Sequence, residues 1–182
     1  GQSGGASAES GGGSDSACGL PDGSQAVPAE GPEAEWETLQ GHTVPVSKKF
    51  GPGQLEGEDR SCFAHSPTGA LFAALNTGRV LPKEHLLKHV TKGPRRDALE
   101  DAPAATVDPD SRTVVRGFKI EVAGEDEVLV RPVYSTDGGG LYEVPVRVVW
   151  EDGDWMIDGS ADARSEPADV DSLEGYVTWG PE

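Results

Sequence analysis

Apolar and polar residues alternate most regularly between residues 128 and 157, and this stretch predicts the centre of a β-sheet. Every second position from 142 to 150 is apolar, so these side chains share one face of a strand: Tyr142, Val144, Val146, Val148 and Trp150. Asp152-Gly153 follows, and this pair favours a two-residue hairpin because both turn positions need positive φ. The turn sets Trp150 opposite Trp155, so turn chemistry and alternation predict one register, with both indoles on the core face.

Two more strands are predicted ahead of this hairpin, over Val115–Val122 and Val128–Ser135. Pro132 and Pro145 interrupt the predicted strands. Because a proline lacks the amide that a central ladder needs, both indicate bulges or edge positions that curve a sheet. The inward positions that can be identified are apolar and predict a filled interior rather than a ligand pocket: Phe118, Ile120, Val122, Val144, Val146 and Val148.

Helices are predicted before the sheet. The first covers Pro67–Asn76, with Ser66 as its N-cap and proline at its first position. The second covers Leu81–Thr91, which has an apolar stripe and ends before Gly93-Pro94, and Arg95–Asp101 predicts a further helical turn. Two or three helices followed by four antiparallel strands predict an α+β fold, with a curved four-stranded sheet covered on one face by the helices.

The N-terminal stretch, residues 1–31, predicts a flexible linker. It is rich in Gly, Ser, Ala, Pro and acidic residues, and it cannot bury enough apolar surface to offset the entropy of ordering it. Residues 32–182 predict one domain. Within them, Trp36–Phe50 contains Val44-Pro45-Val46 and indicates an extended segment, either an edge strand or a strap over the core.

Charge narrows the set of partners. The chain of 182 residues has 15 Lys and Arg against 32 Asp and Glu, a formal net charge of -17. Such a surface repels phosphate backbones and anionic headgroups, so we expect no direct nucleic-acid binding. One basic cluster stands out around the second predicted helix, and it is either a partner-binding surface or an ordinary solvated face: Lys83, Lys88, Lys92, Arg95 and Arg96.

The two cysteines, Cys18 and Cys62, allow two interpretations. They are either unrelated free thiols or a disulfide that attaches the N-terminal stretch to the domain. We expect the disulfide, because an exposed thiol in a linker is reactive. A disulfide in turn indicates an oxidising compartment.

No catalytic, metal or cofactor site is predicted. His65 and Ser66 are adjacent and rarely aim at each other, and the capping role accounts for Ser66. His85 and His89 share a helix face but lack a third ligand at the usual spacing. The acidic residues near the hairpin turn do not follow the spacing of a calcium loop.

Several local motifs carry a resemblance to a known family. They are Trp36, Val44-Pro45, Gly51-Pro52, the run from Cys62 to Leu71 that includes Phe-Ala-His-Ser-Pro-Thr-Gly-Ala, Val148-Val149-Trp150, Gly153-Asp154-Trp155, and Gly175-Tyr176-Val177 with Trp179. Together they resemble a family of actinobacterial proteins from integrative and conjugative elements. The resemblance implies a single-pass membrane protein with an extracytoplasmic NTF2-like (cystatin-like) cone related to the VirB8 and TcpC assembly components.

The expected function follows from this resemblance and from the charge. We expect a non-enzymatic extracytoplasmic scaffold domain of a conjugation apparatus, which contacts other proteins of a transfer complex and reaches the membrane only through a helix outside this sequence. Self-association is left open. The alternative is a small-molecule-binding protein or enzyme that uses an NTF2-like pocket.

Overall fold

The computed structural model describes residues 16–78, 80–103, 112–160 and 166–181. The helices in these ranges are α1 (Pro67–Thr77), α2 (Lys83–Leu86), continued by a 3-10 turn (Leu87–His89), and α3 (Pro94–Asp101). The strands are β1 (Glu35–Leu39), β2 (His42–Val46), β3 (Gln54–Glu56), β4 (Asp59–Ser61), β5 (Thr113–Gly124), β6 (Glu127–Thr136), β7 (Leu141–Glu143), β8 (Val146–Glu151), β9 (Asp154–Ile157), β10 (Ala168–Val170) and β11 (Val177–Thr178).

The four predicted strands form the centre of the sheet. They are β5, β6, β8 and β9, which pair antiparallel in that order. The predicted hairpin register is confirmed, since Trp150 pairs with Trp155 and Val148 pairs with Ile157. Asp152 and Gly153 have φ values of 56° and 84°, which are the positive angles that the turn requires.

The sheet is larger than the predicted four strands. In the described residues it has nine, because β1, β2, β7, β10 and β11 extend it. Strand β2 joins β5 through one parallel pair, and β11 pairs with β5 farther along. Pro145 falls between β7 and β8, which pair with successive parts of β6, so the proline divides one predicted strand into two. Shifts of register in the β5–β6 pairing supply further irregularity.

Helix α1 is buried along its whole length and lies at the centre of the core. Its N-cap is as predicted, since Ser66 Oγ accepts a hydrogen bond of 3.0 Å from the amide of Gly69. The core around it includes Phe63, Phe118 and Trp155. The arrangement is a mixed α+β fold with a large open sheet and few helices.

The second predicted helix is shorter than expected. Regular helix ends at Leu86, the 3-10 turn ends at His89, and Val90 is already extended. Val90 forms an isolated parallel bridge with Ile157, and Thr91 N donates to the Ile157 carbonyl at 2.9 Å. Pairing with the end of β9 therefore replaces the last predicted helical turn, and α3 begins after it at Pro94.

The stretch predicted as a linker is attached to the domain where it is described, while residues 1–15 lie outside the described residues. Ala17 N donates to the Gly153 carbonyl at 2.8 Å, and Gln25 Nε2 donates to the His65 carbonyl at 2.8 Å. The C-terminal end of the described chain also packs on the domain, since the ring of Trp179 lies 4.8 Å from that of Trp36. The boundary at residue 31 stays a prediction.

The expectation of a filled interior is wrong in two places. Val122 is 47% exposed. It lies near the end of β5, where the neighbouring residues of the strand are exposed as well. Val144 and Val146 are buried but line a cavity beneath α1, which the alternation of the sequence did not indicate.

Candidate functional site

The predicted disulfide is present between Cys18 and Cys62. It joins the N-terminal stretch to the residues that lead into α1. Cys62 has a φ of 71°, a left-handed value that is uncommon outside glycine. The carboxylate of Asp154 accepts hydrogen bonds there, from Cys62 N at 2.7 Å and from Phe63 N at 3.0 Å. Cys62 is therefore joined to the N-terminal stretch through the disulfide and to the start of β9 through the hydrogen bond from its amide.

Burial raises the pKa of Asp154, because the anion loses its contact with water. Three backbone amides, those of Cys62, Phe63 and Trp155, favour the ionised form and offset part of this increase. Nearby His89 lowers the pKa as well. The carboxylate of Asp154 accepts three hydrogen bonds from backbone amides, and this arrangement is that of a structural anchor.

The five basic residues of the predicted cluster do not form one continuous patch. Lys83 Nζ donates to the carbonyls of Glu100 and Ala102, so it bonds to the end of α3. Arg96 donates to Glu100 at 2.6 Å and to the Leu87 carbonyl at 3.4 Å. Arg95 lines the cavity beneath α1.

The other two members of the cluster are exposed: Lys88, whose Nζ lies 3.9 Å from an Asp59 carboxylate oxygen, and Lys92. A role of this cluster in partner binding stays a prediction, centred on these two lysines.

Three residues that were considered for catalysis or metal binding are engaged in structural contacts. His65 Nε2 lies 2.8 Å from an Asp126 carboxylate oxygen, and its ring stacks on Trp150 with centroids 4.0 Å apart. Ser66 caps α1. His89 is buried and lies 2.6 Å from an Asp59 oxygen. Within the described ranges, no group of three or more His, Cys, Asp or Glu residues is placed to hold a metal ion.

A cavity of about 140 Å³ lies between α1, the α2–α3 segment and the sheet. Its wall is largely apolar, and its apolar residues are Ala74, Leu75, Val80, Leu86, Val90, Leu99, Val144, Val146 and Ile157. Polar groups come from Arg95 and from the sheet residues His42, Thr113, Tyr134 and Tyr142. A largely apolar cavity with a few converging polar groups is typical of a small-molecule site.

A wider groove of about 640 Å³ lies between β1 and the β3–β4 hairpin. Glu33, Glu35 and Glu37 line the side of β1, while Pro52 and Leu55 line the side of the hairpin. Val46 at the end of β2 and the basic Lys48 line the groove as well. Leu55 is 57% exposed. Of the described strands, only β2 pairs with β1, so β1 forms an edge of the sheet.

The chain was compared with known proteins. A family model described as a domain of unknown function (DUF8175) matches residues 1–178. The chain belongs to the DUF8175 family. A search of curated proteins and a search of solved structures each found no match. Membership of the DUF8175 family assigns no activity, so the function has to be argued from the site itself.

Neither the cavity nor the groove was predicted from the sequence. Gln40-Gly41 was a local signal for the β1–β2 hairpin that borders the groove, because both residues have positive φ, 54° and 81°, in its two-residue turn. The cavity had no comparable local signal, since its wall combines residues from distant parts of the chain.

Proposed function

We propose that this chain is a non-catalytic, extracytoplasmic protein-binding domain of a DNA-transfer apparatus. In this proposal the core is an NTF2-like cone of the VirB8 and TcpC kind, carried by a conjugative element of an actinobacterium. Support comes from the sequence motifs that resemble that family and from the buried helix α1 packed on an antiparallel sheet. The single observation that carries a binding role is the groove beside the edge strand β1, which is lined by three glutamates and one lysine, Lys48.

The disulfide supports a location outside the cytoplasm. Disulfides persist in oxidising compartments, while the reducing cytoplasm of most cells keeps thiols free. The Cys18–Cys62 bond attaches a Gly/Ser-rich stretch to the folded core, so this attachment depends on the disulfide being formed. Among the described residues no helix has both the length and the hydropathy to span a bilayer.

The groove suggests how a partner is held. An extended segment can add a strand to an exposed sheet edge, where backbone hydrogen bonds supply affinity and side chains supply specificity. Glu33 and Glu35 are exposed on the β1 side of the groove, and Leu55 offers an apolar contact opposite them. We propose that the occupant is an extended segment of a partner protein that alternates basic and apolar residues.

A second copy of this chain fits the groove less well than a basic partner does. Pairing of two β1 strands would bring the glutamates of both copies together, on chains that each carry a formal charge of -17. Like charges that face each other across an interface disfavour association. Attraction to a basic partner would weaken as salt is added, because exposed charges are screened.

The test is a deletion of the gene in its host element, with transfer frequency measured. We expect transfer to be lost in the deletion strain and to be restored by the wild-type gene. Complementation by the double variant Glu33→Lys and Glu35→Lys should fail. Glu37 is left unchanged because it bonds to Arg60 at 2.7 Å. The matched control is Asp171→Lys with Glu174→Lys, which reverses two exposed charges outside the groove and should restore transfer.

Three results would contradict the proposal. Normal transfer in the deletion strain removes the conjugation role. Equal transfer by the two double variants would show that the groove is not the docking surface. Lys88 and Lys92 would then be the candidate docking residues. Tight DNA binding by the purified chain at physiological salt contradicts the argument from charge.

A further inference from the structure

The cavity beneath α1 has the size of a site for one small ring. Its volume is about 140 Å³. An engineered apolar protein cavity of about 150 Å³ stays dry and binds benzene, so a space of this size can hold a six-membered ring. Ala74 and Leu75 of α1 form one side, while Val144, Val146 and Ile157 of the sheet form the other.

The polar side chains of the cavity wall are already engaged with the protein. His42 Nδ1 lies 2.5 Å from Thr113 Oγ1, where β2 meets β5. Tyr134 and Tyr142 pair across β6 and β7, and their rings stack with centroids 5.6 Å apart. Arg95 likewise has an interaction of its own within the chain. A ligand in this cavity therefore competes with existing contacts for any polar partner.

This arrangement determines the polarity of the ligand. A charged group or a hydroxyl that enters an apolar cavity gives up its hydration, and the cost is recovered only where a hydrogen-bond partner receives it. A hydrocarbon has no such hydration to lose, and its burial is favourable because apolar surface leaves water. The cavity therefore favours an uncharged, apolar ligand over a polar one of the same size.

The two tyrosines favour a ring among the apolar ligands. Tyr134 and Tyr142 bring aromatic carbon to a wall whose other apolar side chains, among those described, are aliphatic. Aromatic rings attract one another in offset-stacked or edge-to-face arrangements, beyond the area that they bury. A rigid ring also has little internal freedom to lose when it is bound, unlike a flexible chain of the same number of carbons.

We propose that this cavity binds a small, uncharged aromatic molecule of the size of benzene or toluene. The ring lies between α1 and the sheet. This inference does not depend on the proposed docking of a partner at β1, because the cavity and the groove share no lining residue in the described part of the chain. It also gives the pocket-binding alternative, considered from the sequence, a specific ligand class.

The experiment is a titration of the full chain with toluene, followed through the methyl NMR signals of Val144, Val146 and Ile157. We expect saturable shifts at these methyls with a Kd on the order of 0.1 mM, as suits a ligand of few atoms. Phenol is the matched probe, because a hydroxyl replaces the methyl group of toluene at nearly the same size. Phenol should bind about tenfold more weakly or worse, since its hydroxyl loses water without a free partner.

A matched pair of variants locates the bound ring. Ala74→Leu should abolish toluene binding by filling the cavity, whereas Ala98→Leu, the same change at an exposed position of α3, should leave the Kd unchanged. Melting curves give a second readout, because a ligand that binds only the folded state raises the melting temperature. Toluene should raise the melting temperature of the wild type and of Ala98→Leu, but not that of Ala74→Leu.

Three results would overturn the inference. The site is removed if no saturable methyl shift occurs at toluene concentrations about tenfold above the expected Kd. Phenol that binds as tightly as toluene contradicts the apolar class, because the wall then supplies a polar partner. Unchanged toluene binding in Ala74→Leu means that the ring binds elsewhere. If Ala74→Leu does not fold, as judged by its melting curve, Val146→Leu fills the cavity from the sheet side and gives the same test.

Discussion

The backbone amide of Cys62 donates a hydrogen bond of 2.7 Å to Oδ2 of Asp154, which begins β9. The other carboxylate oxygen accepts from the amides of Phe63 and Trp155, at 3.0 and 2.9 Å. One half-buried side chain therefore joins the hairpin of the sheet to the segment that contains the disulfide and leads into α1. Because the left-handed Cys62 lies in this segment, Asp154 also helps to hold an uncommon backbone conformation.

The first prediction concerns removal of one of these acceptor oxygens. Asp154→Asn keeps a single carbonyl oxygen, so at least one of the buried amides loses its partner. We expect the free energy of unfolding at neutral pH to fall by about 1–3 kcal/mol, the cost of an unsatisfied buried donor. Urea denaturation measures the change. Asp152→Asn removes an exposed carboxylate from the same turn and should alter stability by less than about 0.5 kcal/mol.

The second prediction concerns the pH dependence of this effect. Burial raises the pKa of Asp154 above 3.8, so the folded protein binds a proton there more tightly than the unfolded chain does. The stability from this linkage is fully present below the unfolded pKa and is lost as pH rises through the folded pKa. The wild type should therefore gain stability relative to Asp154→Asn as pH falls from neutral toward 3.8. Parallel urea titrations at several pH values test this, and a difference that shrinks on acidification contradicts it.

The third prediction concerns the disulfide. Cys18 and Cys62 are 44 residues apart, so their bond closes a long loop and restricts the unfolded chain. We expect the double variant Cys18→Ser with Cys62→Ser to lose about 2–4 kcal/mol of unfolding free energy. Reductant should lower the melting temperature of the wild type and leave that of the double variant unchanged. Intact-mass analysis after alkylation without reduction checks the bond directly, since two modified thiols in exported protein contradict the assignment.

The centre of the sheet could be predicted because its signals are local. An Asp-Gly turn and a five-position alternation occur within one short stretch, and each gives the same register for Trp150 and Trp155. The cap of α1 was equally local, since Ser66 and Gly69 are neighbours on the first helical turn. Where turn chemistry, capping and alternation agree, sequence is sufficient to place an element.

Elements and sites that depend on distant contacts could not be predicted. The second helix ends early because Val90 pairs with Ile157, a residue that is distant in the sequence. Strand β11 exists because Val177 pairs with Phe118, and nothing in its two residues distinguishes them from a loop. The cavity needs Arg95 and Tyr142 on the same wall, which only the tertiary arrangement provides.

The fourth prediction concerns Gly69 in the first turn of α1. A Cβ atom built at this glycine would lie 1.8 Å from the carbonyl oxygen of Ala64, so no side chain fits without movement of the backbone. Alanine normally favours a helix over glycine, yet we expect Gly69→Ala to destabilise the fold by about 1–3 kcal/mol through overpacking. Gly140→Ala is the control, because a Cβ there meets nothing within 4 Å. Thermal melts of both variants measure the difference, and a stabilised Gly69→Ala protein contradicts the close approach.

The last prediction separates the two tryptophans of the central hairpin. Their ring centroids are 5.4 Å apart, but their surroundings differ. Trp155 is 1% exposed, and its Nε1 donates to the Ala64 carbonyl at 2.8 Å. Trp150 is only partly buried and stacks on His65 at the margin of the core. The expectation that both indoles lie on the core face therefore holds for Trp155 and only in part for Trp150.

Truncation of the two rings should give unequal losses of unfolding free energy. We expect Trp155→Ala to cost about 3–5 kcal/mol, the range for a buried large aromatic. Trp150→Ala should cost about 1–2 kcal/mol, because it removes a stacking contact and a partly exposed surface. Trp155→Phe keeps most of the ring volume but leaves the Ala64 carbonyl without this donor, so it should cost about 1–3 kcal/mol. Denaturant melts of the three variants measure these values, and equal losses for the two alanine variants would mean that Trp150 is as deeply packed as its partner.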